Sequence, residues 1–205
     1  TSQNFIYYNN SNGSFAKETS FGKKDEATIF IAASDINSDE HLDLVLANRN
    51  KQPNSIYFGP DFIKSTIFGS GTDETRQVAI GDMNGDGAPD IVAANIGEKN
   101  KIYFNQGNGE FRESVSFGSL RDKTMSIALG DLDGDGDLDI VAGNNSSKNH
   151  FYINSDGNFK LNRFSEEDKV TYGITLGDLN NDGRLDIIES NSGDVNKIFF
   201  NKTKK

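Results

Sequence analysis

The chain has 205 residues, no cysteine and a formal net charge of −10 at pH 7. The lack of cysteine excludes disulfides, thiolate metal sites and a cysteine nucleophile. The negative charge argues against a nucleic-acid partner, because binding a phosphate backbone needs clustered Lys and Arg. No apolar run approaches the roughly 18 residues that a membrane span requires, and the length is enough for a sizeable core in one or two domains.

Three markers recur along the chain in a fixed order. An acidic stretch begins at Asp35, Asp82, Asp131 and Asp178, in steps of 47, 49 and 47 residues. A Phe-Gly or Phe-Ser pair keeps the same steps, beginning at Phe21, Phe68, Phe117 and Phe164. Aromatic segments stand at Ile6-Tyr7-Tyr8, Ile56-Tyr57-Phe58, Ile102-Tyr103-Phe104, Phe151-Tyr152-Ile153 and Ile198-Phe199-Phe200. Three markers in register indicate a true internal repeat, which decides the fold.

Each repeat predicts four short strands. In the third repeat the strands are predicted at Ser126–Gly130, entering the acidic stretch, at Asp139–Ala142, leaving it, at Asn149–Asn154, the aromatic strand, and from near Phe159. Turns are predicted around Gly143–Asn145 and at Ser155–Gly157. The runs are short, rich in β-branched residues and bounded by Gly, Asn or Asp, which favours strands over helices. Their apolar character on both faces fits sheets packed between neighbouring sheets.

The predicted fold is therefore an all-β propeller of four-stranded antiparallel blades, with about four repeats of 47–49 residues in a single domain, 1–205. The chain opens and closes on aromatic, third-type strands at Asn4–Asn9 and Lys197–Asn201. Three accounts stay open: a small ring in which residues 1–21 complete the blade of residues 171–190, an excerpt of a larger ring, or chains that complete one another. The redundant strand favours the excerpt.

The four acidic stretches, at 35–43, 82–90, 131–139 and 178–186, share one pattern. Positions 1, 3, 5 and 9 carry Asp or Asn in every copy, whereas position 7 varies. Side-chain oxygens at 1, 3, 5 and 9 with the main-chain carbonyl of 7 suit a hard cation such as Ca²⁺. An EF-hand would need a Glu at position 12, where Leu46, Ala93, Ala142 and Glu189 stand.

The predicted metal ligands are Asp35, Asn37, Asp39, His41 and Asp43 in the first loop, Asp82, Asn84, Asp86, Ala88 and Asp90 in the second, Asp131, Asp133, Asp135, Asp137 and Asp139 in the third, and Asp178, Asn180, Asp182, Arg184 and Asp186 in the fourth. Up to four Ca²⁺ are expected, one per loop. We expect the site at 35–43 to be the weakest, because Glu40 replaces the Gly of the other loops at position 6, which favours a permissive backbone. Position 8, Leu or Pro, is expected to anchor each loop in the core.

With Phe-Gly upstream and an aromatic strand downstream, the pattern Asp-x-(Asp/Asn)-x-Asp-Gly-x-x-Asp resembles the FG-GAP/VCBS repeat. That repeat is known from integrin α-subunit propellers and from many secreted proteins. The resemblance covers essentially the whole chain and implies a propeller in which each loop joins the first two strands of a blade and binds Ca²⁺. It also implies ligand binding on the opposite face, on connections such as 69–75 and 48–54.

No catalytic constellation is visible. His41 occupies the carbonyl-donating position 7 of its loop, and His150 is expected to be a residue of the aromatic strand. We therefore expect a non-enzymatic, extracellular recognition or adhesion module, secreted or on a cell surface, that binds a glycan or a protein. Two alternatives stay open: a polysaccharide lyase or a propeller domain of one, and a structural subunit that self-associates through open blade edges.

Overall fold

The computed structural model describes residues 3–202, so residues 1, 2 and 203–205 of the predicted domain lie outside the described part. Seventeen strands make up the regular structure of that part. They are β1 (Asn4–Asn9), β2 (Phe15–Phe21), β3 (Thr28–Ser34), β4 (Asp43–Asn48), β5 (Asn54–Tyr57), β6 (Ser65–Phe68), β7 (Thr75–Gly81), β8 (Asp90–Asn95), β9 (Asn100–Asn105), β10 (Phe111–Phe117), β11 (Thr124–Gly130), β12 (Asp139–Ser147), β13 (His150–Ser155), β14 (Asn158–Arg163), β15 (Lys169–Gly177), β16 (Asp186–Asn191) and β17 (Lys197–Phe199). Within residues 3–202, no helix has the length and apolar character needed to cross a membrane.

The strands form the blades of a β-propeller, as the repeat predicts. Blade 1 is β3–β6, blade 2 is β7–β10 and blade 3 is β11–β14, each a four-stranded antiparallel sheet in chain order. Blade 4 has the three strands β15–β17, and β1 with β2 forms a two-stranded half-blade. Strands alternate in direction, so the acidic loops lie at one end of the blades and the connections 48–54 and 69–75 lie at the other.

The sheets do not close into a ring. Within the described residues, β1 pairs with β2 and with no strand of blade 4. The small closed ring, with 1–21 completing the blade of 171–190, is therefore not adopted, because β17 already occupies the outer edge of β16. Instead the half-blade packs on blade 1, where Phe21 meets the ring of Tyr57 edge-on at 6.0 Å. An open arrangement of this kind fits part of a larger ring.

The core lies between blades rather than within one sheet. Ile102 belongs to the cluster shared by blades 2 and 3, whereas the next residue, Tyr103, belongs to the cluster shared by blades 1 and 2. Ile91 and Val92 divide in the same way. Because successive side chains of a strand point to opposite faces, each blade buries apolar residues on both sides, and each fully buried aliphatic side chain contributes about 1.5–3 kcal/mol.

One predicted turn is wrong. Residues Gly143–Asn145 do not turn but continue β12, which runs for nine residues to Ser147. The extension forms because Asn145 pairs with Val170 and Ser147 with Lys169 of β15, which joins the sheets of blades 3 and 4. The turn predicted at Ser155–Gly157 is present, with positive φ at Asp156 and Gly157.

Candidate metal loops

The four acidic loops share one backbone path between the first and second strands of their blades. Positions 4 and 6 have positive φ in every copy. In the third loop these are Gly134 and Gly136, at 86° and 99°, and in the first they are Ser38 and Glu40, at 61° and 67°. The first loop therefore adopts the common path although it has no glycine at either position, and left-handed backbone costs an L-residue roughly 1–2 kcal/mol.

We predict that Glu40→Gly stabilises the first loop. Relief of the left-handed strain is expected to raise the free energy of unfolding by about 1 kcal/mol, reduced by the greater freedom of glycine in the unfolded chain. Chemical denaturation without added metal measures this. The matched control is Gly183→Glu at the same position of the fourth loop, where φ is 81°, which should destabilise by a similar amount. If both variants were as stable as the parent protein, the left-handed backbone at Glu40 would not be strained.

The carboxylate at position 1 of each loop turns inward over the loop backbone. Asp35 accepts hydrogen bonds from the main-chain N–H groups of Asp39, at 3.1 Å, and Glu40, at 2.8 Å. Asp131 accepts them from Gly134, at 2.6 Å, and Gly136, at 3.1 Å. Such local hydrogen bonds from main-chain N–H groups to an Asp side chain favour turns over regular structure. They place the carboxylate at the centre of its loop.

The carboxylate at position 9 is buried and accepts two main-chain N–H groups, one from position 2 of its own loop and one from the chain at the end of the third strand. In the third loop Asp139 is 0% exposed, and its Oδ2 accepts the N–H of Leu132 at 2.7 Å while its Oδ1 accepts the N–H of Asn154 at 2.8 Å. Asp43, Asp90 and Asp186 accept equivalent pairs of N–H groups in the other loops. Each carboxylate oxygen keeps further acceptor capacity, so this structural role leaves a ligand role possible.

The third loop gathers the carboxylates most closely. Of the residues that the structure describes, Asp131, Asp133 and Asp139 form the group of three whose potential ligand atoms lie within 4.8 Å of one another. Oδ1 of Asp133 is buried and has no hydrogen-bond partner. Burial and the neighbouring Asp135 raise the pKa of Asp133, and burial raises the pKa of Asp139 to about 6. A cation among these oxygens would give Oδ1 of Asp133 a partner and would favour the ionised carboxylates of Asp133 and Asp139. The residues present therefore fit a hard metal ion.

The other three loops carry Asn at position 3, and it makes the same contact in each. Its side-chain amide donates to the position-5 carboxylate, with distances of 3.0 Å from Asn37 to Asp39, 2.9 Å from Asn84 to Asp86 and 3.0 Å from Asn180 to Asp182. At positions 1, 3, 5 and 9 these loops thus bring three acidic side chains, whereas the third brings four. Burial raises the pKa of Asp90 to about 6, whereas hydrogen bonds from Gly183 and its neighbours lower the pKa of Asp178.

Position 7 differs in each loop. Nδ1 of His41 lies 3.2 Å from the main-chain oxygen of Asp39, Ala88 is buried, and Asp137 accepts the N–H of Asp156 at 3.1 Å. In the fourth loop the guanidinium of Arg184 forms an ion pair with the position-5 carboxylate of Asp182. The predicted carbonyl ligand at this position stays a prediction.

The predicted anchor at position 8 holds only in part. Leu138 and Leu185 pack over Gly81 and Gly130 of the preceding blade, but Leu42 is 62% exposed, because the half-blade before it lacks the inner strands. In the first three loops the buried anchor is position 2, with Ile36, Met83 and Leu132 at 0%, 1% and 6% exposure. Leu179, the fourth copy, is half-exposed, because within residues 3–202 no further blade packs against it.

Sequence reasoning missed the asparagine that ends the third strand of most blades. The side-chain amide of Asn105 donates to the carbonyl of Ile36 at 2.7 Å, that of Asn154 to Met83 at 3.0 Å, and that of Asn201 to Leu132 at 2.6 Å. Each acceptor is position 2 of the acidic loop in the preceding blade. The signal was present as an Asn after each of these aromatic segments. Blade 1 has Gly59 there.

A second set of polar side chains links the blades at their other end. Nδ2 of Asn100 donates to Oγ1 of Thr124 at 2.8 Å, and Thr124 donates to Oδ1 of Asn144 at 2.8 Å. The triads Asn54–Thr75–Asn95 and Asn149–Thr171–Asn191 repeat the arrangement. Buried polar groups of this kind are costly unless paired, so each triad fixes the distance between neighbouring blades.

The antiparallel blades and their acidic loops define a β-propeller with repeated candidate metal loops. The model of the FG-GAP-like repeat matches residues 35–93, 82–142 and 131–189. The chain belongs to this family, as the resemblance predicted. No curated protein matches the chain.

Solved structures support the fold. The chain is similar to the computationally designed protein Ika4, with a TM-score of 0.59 and 11% identity over 88% of this chain and 94% of that one. It is also similar to BBS1N, from a complex with ARL6DN soaked with lead, with a TM-score of 0.54 and 12% identity over 89% of this chain. The chain covers 59% of the BBS1N chain. At these identities the likeness concerns the fold alone.

Proposed function

We propose that the protein is a Ca²⁺-binding, extracellular recognition module that binds a glycan or a protein, and that Ca²⁺ stabilises its blades. The observation that carries the calcium assignment is the third loop, where oxygens of Asp131, Asp133 and Asp139 lie within 4.8 Å of one another and Oδ1 of Asp133 has no hydrogen-bond partner. Oxygen donors in such number select hard cations, and Ca²⁺ tolerates irregular loops better than Mg²⁺.

The bound ion would supply positive charge among carboxylates that otherwise repel one another. Asp131, Asp133 and Asp139 would hold it in the third loop, and the other loops offer the corresponding residues with Asn at position 3. The position-9 aspartate already joins the loop to the end of the third strand. Metal binding energy at this point therefore becomes folding energy, because the unfolded chain has no such site.

We predict that Arg184→Gln strengthens metal binding in the fourth loop. The guanidinium neutralises Asp182 from within the loop, and a partly exposed ion pair of this kind is worth about 1 kcal/mol, or about a fivefold change in affinity. Calorimetric titration of the metal-free protein with Ca²⁺ measures the affinity of the fourth loop in the variant and in the parent protein. Arg112→Gln, which removes an exposed partner of Glu110, is the control and should leave every Ca²⁺ affinity unchanged. Unchanged Ca²⁺ affinity in the Arg184 variant would contradict the idea that the guanidinium and Ca²⁺ compete for the carboxylate of Asp182.

Recognition is tested by screening the calcium-loaded protein against glycan arrays and by capture from extracellular matrix and cell-surface fractions. The proposal expects a saturable ligand whose binding is lost when the blades unfold. Absence of any ligand with intact blades would overturn the recognition assignment. The lyase alternative is tested in the same series, because a lyase acting on acidic polysaccharides generates unsaturated products that absorb in the ultraviolet.

Assembly through open edges is a second candidate, and exposed aromatic groups favour it. Tyr7 of the half-blade is 56% exposed, and Ile198 and Phe200 of blade 4 are 51% and 50% exposed. The equivalents of the latter pair in blade 3, Phe151 and Ile153, pack against blade 4. Sedimentation measurement of mass decides this candidate: a concentration-dependent dimer or chain supports it, and a monomer at all concentrations removes it.

A further inference from the structure

A groove of about 950 Å³ runs between blades 2 and 3 along their outer strands. One wall is the end of β10 with the turn after it, and the other is formed by β13 and β14. We refer to it as the β10–β14 groove. It lies outside the acidic loops.

The charge of this groove is opposite to that of the protein. Arg121, Lys160 and Arg163 line it and are exposed, and in the described part of the chain none of them forms an ion pair. Asp122 is the one carboxylate among its lining residues, and it is buried, with Oδ2 accepting the N–H of Ser119 at 2.9 Å. Three cations without an ion pair thus face one engaged carboxylate in a chain of net charge −10, and Arg163 also interacts electrostatically with Glu166, which does not line the groove.

The rest of the groove combines apolar and polar surface. Val115 and Leu161 are 39% and 49% exposed, and Phe159 is half-buried between the walls. The ring of His150 also lines the groove, and its Nδ1 is buried without a hydrogen-bond partner. Burial lowers the pKa of His150, so the ring is neutral at pH 7 and adds a polar group rather than a fourth charge.

The equivalent groove between blades 1 and 2 lacks this charge. It has a volume of about 550 Å³ and contains Lys101, Arg112 and the carboxylates of Glu110 and Glu113. Lys101 lies 3.7 Å from a carboxylate oxygen of Asp73, and Arg112 lies 2.8 Å from Glu110. The unpaired positive charge of the β10–β14 groove is therefore absent from the equivalent groove between blades 1 and 2, so it is not a product of the repeat.

We propose that the β10–β14 groove binds an acidic saccharide, with carboxylate or sulfate groups on Arg121, Lys160 and Arg163 and sugar rings against Phe159 and Leu161. Guanidinium groups pair with carboxylates and with tetrahedral oxyanions through two parallel hydrogen bonds, and the aliphatic and aromatic wall suits the C–H face of a sugar. The inference rests on the proposed recognition function and names its ligand class and its site.

The test is calorimetric titration of the calcium-loaded protein with a galacturonic acid hexamer, a heparin hexasaccharide and a neutral galactose hexamer. At least one acidic hexamer should bind, at least tenfold more tightly than the neutral one and with affinity that falls as salt rises. Arg163→Ala and Lys160→Ala should each weaken that binding about fivefold or more. Arg112→Ala in the neighbouring groove is the matched control and should bind like the parent protein, and melting curves confirm that all variants fold.

Four results would overturn the inference. The first three are that neither acidic hexamer binds, that the neutral hexamer binds equally well, and that both groove variants keep the parent affinity. The fourth is that single-stranded DNA or inorganic phosphate binds equally tightly, because this would indicate a general anion surface. If the acidic hexamers fail while another glycan or a protein binds elsewhere, the proposed recognition function stands and this site assignment alone fails.

Discussion

Replacing Asn154 by Ala is expected to lower the free energy of unfolding by about 3–5 kcal/mol. Asn154 is 1% exposed. Its amide donates to the carbonyls of Met83 in blade 2 and Leu138 in its own blade, and its Oδ1 accepts the N–H of Gly157 at 2.9 Å. The substitution removes this partner from the carbonyls of Met83 and Leu138 and from the N–H of Gly157, and a buried group left unpaired costs about 1–3 kcal/mol. For a chain of this length the midpoint should fall by on the order of 10 °C.

The matched control is Asn158→Ala. Asn158 is exposed and donates one bond, at 3.2 Å, to the carbonyl of Ser155. Its replacement should change stability by no more than about 0.5 kcal/mol. Denaturant unfolding of both variants separates the two cases. Equal effects would show that the contact between blades at Asn154 does not hold the loop of blade 2.

Asp139→Ala and Asp133→Asn should separate the structural role of the third loop from its metal role. Without metal, Asp139→Ala is expected to cost about 2–5 kcal/mol, because the buried N–H groups of Leu132 and Asn154 lose their acceptor. Asp133→Asn removes one charge from a site with an unpartnered oxygen, so it should leave metal-free stability nearly unchanged. It should nevertheless weaken Ca²⁺ binding in this loop by tenfold or more.

Denaturant unfolding in excess chelator, followed by Ca²⁺ titration of each variant, measures both effects. Glu113→Gln on the exposed face of β10 is a control for the loss of one negative charge. If Asp133→Asn bound Ca²⁺ as tightly as the parent protein, Asp133 would not be a metal ligand of the third loop. If Asp139→Ala kept its metal-free stability, the two N–H bonds would not support the hairpin.

The blade architecture could be predicted because it is repeated in the sequence. Phe-Gly pairs, acidic stretches and aromatic strands recur in register, and the position-9 aspartate begins the second strand of every blade. Tyr57, Tyr103 and Tyr152 of the aromatic strands lie in the core, with exposures of 4–6%. Local periodicity carries this information, since the alternation of a strand and the conformation of a turn depend on near neighbours.

The contacts between blades could not be predicted in the same way. Asn154 and Met83 are 71 residues apart. From the neighbouring residues alone, an Asn after an aromatic strand predicts only the start of a turn. The extension of β12 beyond Gly143 depends on pairing with β15, which overrides the turn propensity of Gly-Asn-Asn. Leu42 has the same residue type as Leu138 but is exposed, because the blade that would cover it lacks its inner strands.

The charge of the β10–β14 groove was equally hidden. Arg121, Lys160 and Arg163 are scattered over 43 residues of an acidic chain, and no linear run of basic residues marks them. Only the approach of β10 to β14 across the space between blades collects them at one surface. Composition gives the sum of charge, whereas the fold gives its distribution, and recognition depends on the distribution.

The claim that Ca²⁺ stabilises the blades is tested most directly by thermal unfolding of one preparation, first in excess chelator and then with Ca²⁺ or Mg²⁺ restored. A ligand at 100 times its dissociation constant adds about 2.7 kcal/mol per site. Ca²⁺ should therefore raise the midpoint by about 5–10 °C for each tightly bound ion, and Mg²⁺ should restore little of it. An identical midpoint in chelator and in Ca²⁺ would contradict the metal assignment of all four loops.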